Sequence, residues 1–182
     1  EYKRQLRETR LGRKDARDPP MSPQIDFDGI LLLVRDDLAQ VERRLREGME
    51  SVAPLVPEVG EHTFGGGGKR VRPLLLLLAA RLCGYRGPRA IQVATAVEFL
   101  HTATLLHDDV VDGADTRRGR PSINALFGAR IAILVGDFLL ARASQTIVED
   151  GDPDILWIFT ETLRTMSEGE VLQLSRLSLI HI

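Results

Sequence analysis

From Ala90 to Asp112 the chain runs without glycine or proline and reads as one long helix. This stretch constrains the fold most, because a helix sets successive residues about 100° apart. On that wheel His101, Asp108 and Asp112 fall within roughly 20° of one line, and Thr104 lies about 60° to one side. Asp108, Asp109 and Asp112 form a D-D-x-x-D pattern, with Asp109 flanking the line, and Arg117 and Arg118 follow just after it.

Carboxylates this close repel one another when ionised, and an isolated Asp is ionised at neutral pH. A hard cation resolves the conflict. Mg²⁺ takes oxygen ligands and is usually held by one or two carboxylates plus substrate phosphate oxygens. Arginine forks match phosphate oxygens. The pattern therefore points to acids, Mg²⁺, a diphosphate and facing arginines. An acidic helix end can also be plain solvated surface; the alignment with His101 and the arginine pair favours a site.

A second basic locus lies upstream, where Gly65–Gly68 precede Lys69, Arg70, Val71, Arg72 and Pro73. The order of glycines and lysine invites a P-loop reading, but that pattern needs Ser or Thr after the lysine, and Arg70 stands there. Pro73 suits an early helical position. The free N–H groups of a helix N-terminus attract anions, so Lys69 and Arg72 could hold a phosphate or could form a basic surface turn.

The segments LLHDDVVDGADTRRGRPS, GGGGKRVRP and EFLHTATLLHDDVVD together resemble the trans-prenyltransferases, the polyprenyl diphosphate synthases, in their long-chain octaprenyl- or solanesyl-like branch. The resemblance runs from about Asp26 to Arg176. It implies an all-α, isoprenoid-synthase-type antiparallel helix bundle around a central cavity. It also implies condensation of isopentenyl diphosphate with an allylic prenyl diphosphate, giving a long all-trans polyprenyl diphosphate of the kind used as a quinone side chain. By resemblance Asp108, Asp109 and Asp112 hold Mg²⁺, and Arg117 contacts the allylic diphosphate. Lys69, Arg72, His101 and Arg118 hold isopentenyl diphosphate, and Leu100, Ala103 and Thr104 line the path of the growing tail. Ala103 and Thr104 are small, which implies a product beyond fifteen or twenty carbons. The family also has a second aspartate-rich motif on a later helix, which these 182 residues lack. The chain is thus expected to be the N-terminal part of a synthase domain (21–182), truncated after roughly half the bundle and inactive alone.

Residues 1–20 carry seven Lys/Arg and four Asp/Glu, a local +3 that leaves −5 for the rest of a chain whose net charge is −2. That balance argues against a nucleic-acid partner. The polar 1–20 segment has no apolar core for a signal peptide and is expected to be a disordered leader or non-native upstream sequence. No apolar run approaches the ~18 residues a membrane span needs, so a cytoplasmic location is expected, with a homodimer or a heteromer as the assembly.

Elsewhere, Pro23–Met49 reads as an amphipathic helix, Ser51–Phe64 as a connection with Pro54, Pro57 and Gly60, and Leu74–Leu78 as part of a helix buried all round. Gly113–Pro121 reads as a mobile loop. Asn124–Glu149 reads as one helix with Ile131, Leu134, Phe138 and Leu139 inward, and Asp154–Leu174 as another. Trp157 and Cys83 are expected in the core, and no strand is expected. Two rival functions remain: an HD-type metal phosphohydrolase using His107-Asp108, and a non-catalytic prenyltransferase subunit.

Overall fold

The computed structural model describes residues 26–65, 68–117 and 119–180. The expected leader, 1–20, lies outside them, as does Arg118. By compactness the chain divides into residues 1–32 and 33–182. The described part of the first unit, 26–32, is the start of helix α1, and every later element lies in the second.

Among the described residues there are seven helices and one short hairpin, as the all-α expectation requires. Helix α1 (Phe27–Glu47) starts where the Asp26 carboxylate accepts a bond from the Gly29 amide at 2.7 Å, a side-chain N-cap. Its dihedrals break at Val34. Val41 and Leu45 are fully buried. Helix α2 (Leu55–Phe64) occupies the stretch read as a connection. Pro54 is its N-cap and Pro57 lies in its first turn, where amide hydrogens have no helical partner to lose. Gly60 lets Met49 approach, since a Cβ there would sit 2.8 Å from Met49 Cγ.

Helix α3 (Val71–Leu82) buries Leu74 and Leu77 but leaves Leu75 and Leu82 exposed, contrary to burial on every side. Among the described residues its main packing partner is helix α4 (Arg89–Val111). Cys83, just past its end, is exposed rather than in the core. Helix α4 is the centre of the fold and buries residues around most of its circumference, from Ile91 to Asp109. Phe99 stands edge-on to Phe64, with ring centroids 6.1 Å apart. A Cβ added at Gly48 would lie 2.3 Å from Phe99 Cζ and 3.1 Å from the Arg44 carbonyl. Gly48→Ala is therefore expected to cost roughly 1–3 kcal/mol by overpacking, measured as a shift in the urea midpoint at constant m-value.

After α4 a hairpin pairs β1 (Thr116–Arg117) with β2 (Arg120–Pro121) in antiparallel register. This corrects the expectation of no strand: strands of two residues are too short to show alternation. The Ser122 hydroxyl caps helix α5 (Ile123–Phe127) by accepting from the Ala125 amide, and donates to the Ala114 carbonyl at 2.7 Å. Gly128, at φ 85°, separates α5 from α6 (Ala129–Asp150) and divides the single helix expected there. Helix α6 lays Ala132, Val135, Gly136, Leu139, Ala143 and Ile147 inward, with α4 as its main partner. Leu134 points outward, 64% exposed. By length and composition α6 could cross a bilayer, against expectation; the buried line shared with α4 is that of a core helix. Asp152 caps helix α7 (Pro153–Ile180) through the Asp154 and Ile155 amides. Trp157 on α7 is 68% exposed, not in the core.

Candidate active site

The acidic motif occupies the last turn of α4, and the helix stops there for a visible reason. The Ala114 amide bonds back to the Asp109 carbonyl at 2.9 Å and the Gly113 amide to the Val110 carbonyl at 3.3 Å. Gly113 has φ 61°. This is a Schellman ending, which needs a left-handed residue after the cap. It turns the chain straight into the hairpin that carries Arg117.

The three acids do not share one environment. Asp109 is 3% exposed and faces inward. Its Oδ1 accepts Arg117 Nε at 2.8 Å and Nη2 at 2.7 Å. That pairing raises the Arg117 guanidinium above its ordinary value, the hydrogen bond to Asp109 being the largest cause. By resemblance Asp109 is grouped with the metal ligands; here its Oδ1 is bonded to Arg117. Asp108 is part-buried, and its carboxyl is pushed up by desolvation first and by the charge of Asp112 second, against the lowering effect of Arg117. Asp108 and Asp112 thus form an acidic pair one helical turn apart with incomplete neutralisation. Among the described residues no three His, Cys, Asp or Glu side chains form a ready cage. The pair fits Mg²⁺, which commonly takes one or two carboxylates and fills its shell with water and phosphate.

A hollow of about 540 Å³ runs along α4 on the N-terminal side of this pair, ending at Thr104, one turn before Asp108. Val93, Val97, Leu100, His101 and Thr104 form its α4 wall, with Arg72 and Leu76 from α3. Helix α7 closes the other side through Ile155, Ile158, Phe159, Thr162 and Met166. From Val93 to Thr104 the α4 wall rises about 16 Å at 1.5 Å per residue. The lining is largely apolar, and its polar side chains include His101, Thr104 and Arg72. The structure therefore brings together four expected residues: Arg72, Leu100, His101 and Thr104. It does not put Ala103 on this wall. Ala103 is 1% exposed and lies about 60° round the helix from Leu100, away from Thr104. Lys69 is exposed.

A second hollow, about 250 Å³, lies where α2, the hairpin and α4 meet and includes His62, Arg70, Asp109, Arg117 and Arg120. Two further placements were not read from the sequence. His107 Nε2 lies 3.3 Å from the Ile133 carbonyl and 3.4 Å from Asp137 Oδ1, over Gly136. Gly136-Asp137 is the only local sign of it. The Arg70 guanidinium turns inward to Glu42 and Glu98, each 28 residues away, and no local pattern marks that pairing. His107 is committed to α6, so the phosphohydrolase reading loses its ligand geometry. The intact acids and arginines likewise give the non-catalytic reading no support.

Comparison with known proteins gives the family and the fold. The family model for polyprenyl synthetase matches residues 53–179. The chain is 43% identical over 150 residues to octaprenyl diphosphate synthase of Escherichia coli (strain K12), covering 82% of this chain and 46% of that protein. Its fold matches the crystal structure of a decaprenyl diphosphate synthase from Rhodobacter capsulatus with a TM-score of 0.78 and 47% identity, over 81% of this chain and 46% of that one. It matches a polyprenyl synthase from Caulobacter crescentus CB15, complexed with calcium and isoprenyl diphosphate, with a TM-score of 0.78 and 44% identity, over 82% and 45%. The chain belongs to the polyprenyl synthetase family. It spans about half the length of the relatives it matches.

Proposed function

We propose that the natural protein carrying these residues condenses isopentenyl diphosphate with an allylic prenyl diphosphate and extends it to a long all-trans polyprenyl diphosphate. The observation that carries this reading is the apolar hollow along α4, with Arg72, His101 and Thr104 on its wall; Asp108 follows Thr104 by one helical turn. Charged head and apolar tail need opposite surroundings, and one helix supplies both. Family membership and the calcium complex of a relative support the same reading.

Asp108 and Asp112 would hold Mg²⁺, which when bound stabilises the charge developing on a diphosphate leaving group. Arg117, fixed by Asp109, adds a preorganised cation at that group. Lys69, Arg72, His101 and Arg118 orient isopentenyl diphosphate. The allylic C–O bond breaks and the diphosphate leaves with the electron pair. The double bond of isopentenyl diphosphate attacks the allylic carbon, and a proton is lost to the departed diphosphate. Leu100 and Thr104 face the tail. On this reading the protein acts in the cytoplasm as a homodimer or as one component of a heteromer. The 182 residues alone turn over little substrate, because they hold one acidic motif of the two that the resemblance implies.

The test is an assay of the natural protein with isopentenyl diphosphate, farnesyl diphosphate and Mg²⁺, with products sized by chromatography. Prenyl chains longer than twenty carbons are expected, and absence of any elongation refutes the reading. Thr104→Phe places a ring on the hollow's wall and is expected to shorten the product by one or more five-carbon units. An unchanged product distribution would show that the tail runs elsewhere.

A further inference from the structure

Among the described residues Arg70 is the one non-glycine residue with positive φ, at φ 44° and ψ 46°. An L side chain is strained there, and such strain persists only where the surroundings hold it. Here they do. The Arg70 side chain is only 10% exposed. Its Nε and Nη2 donate to the Glu42 carboxylate of α1, and its Nη1 donates to Glu98 Oε1 of α4 at 3.3 Å. Nη2 also donates to the Phe64 carbonyl at the end of α2 at 3.0 Å, and the guanidinium lies 5.5 Å over the Phe64 ring.

This cation is therefore engaged inside the fold, in contrast to its neighbours. Lys69 and Arg72 on either side of it are exposed. Arg72 reaches the wall of the hollow beside His101. Glu98, which holds Arg70, lies three residues before His101 on the same helix. One guanidinium thus ties α1, α2 and α4 to the residue that starts α3.

We infer that Arg70 is a positioning residue, a buried cation that locks the first turn of α3 so that Lys69 and Arg72 meet His101 around the diphosphate of the five-carbon substrate. Arg70 itself does not touch that substrate. The inference rests on the prenyl-transfer reading above. A surface arginine between two basic residues would instead add a third charge to the substrate site; the inward contacts of Nε, Nη1 and Nη2 are inconsistent with that role.

The experiment compares Arg70→Lys and Glu98→Gln with the parent in the natural protein, using isopentenyl diphosphate and farnesyl diphosphate as variable substrates. Lysine keeps the charge but cannot reproduce the planar fork. Glu98→Gln keeps the shape and one acceptor while weakening the grip on Arg70. Both variants are expected to raise KM for isopentenyl diphosphate by on the order of tenfold, with KM for farnesyl diphosphate within about twofold and kcat little changed. A purely structural role would lower the active fraction, and so kcat, while leaving both KM values alone; that result overturns the inference, as does an equal rise in both KM values. Unfolding of Arg70→Lys leaves Glu98→Gln to decide, and unfolding of both makes Arg70 a fold determinant only and also overturns it. A parent that elongates nothing would defeat the prenyl-transfer reading itself, a distinct outcome.

Discussion

Asp108→Asn and Asp112→Asn are each expected to lower prenyl transfer by about 10²–10³-fold, the scale of losing one preorganised group that stabilises developing charge. The reasoning starts from the helix. Residues four apart share a face, so the two carboxylates stand together at the end of α4, beginning one turn after Thr104 on the wall of the hollow. Asp108 is already raised, by desolvation and then by Asp112, so a divalent cation relieves an existing repulsion. On the proposed reading, removing either charge removes one of the two carboxylates that would hold the cation. Asp109→Asn is expected to behave differently. Its carboxylate holds Arg117 through two bonds to one oxygen, and its loss should raise KM for the allylic diphosphate while leaving the magnesium requirement near that of the parent. Steady-state kinetics with a magnesium titration for all three variants separates these outcomes. A shared rise in the magnesium requirement would place Asp109 among the metal ligands.

Arg70→Met is expected to destabilise the protein by about 3–5 kcal/mol, the usual cost of removing one partner of a buried ion pair. For a chain of this size that corresponds to a fall in Tm of roughly 6–20 °C. The loss is unequal between its two partners. Glu42 is 27% exposed and can turn to water, whereas Glu98 is 8% exposed and cannot. Adding Glu98→Gln to Arg70→Met should therefore recover part of the stability, since it removes the stranded charge. Thermal melts of the single and double variants measure this as a double-mutant cycle. A double variant no more stable than Arg70→Met alone would show that Glu98 gains little from the arginine.

The sequence by itself determined the all-helical class, the long central helix and the alignment of His101 with Asp108 and Asp112. Those follow from local periodicity and from the order of residues in one helix, which need no knowledge of neighbours. It also located the basic stretch at Lys69 and Arg72 and the glycine break at Gly113. Tertiary structure alone decided how each of these residues is used. Asp109 and Asp108 are adjacent in the chain, yet about 100° of helix rotation sends one to Arg117 and leaves the other beside Asp112. Arg70 lies between two exposed basic residues, and only the meeting of α1, α2 and α4 turns it inward. Trp157, Leu75 and Cys83 are apolar by type but exposed, because hydrophobicity states a preference for burial and only packing partners supply it. Helix α2 was missed for a related reason: Pro57 and Gly60 oppose a helix interior, but a first-turn position and a close Met49 contact remove both objections. Periodicity is written residue by residue, whereas the choice of neighbour is made by the whole fold.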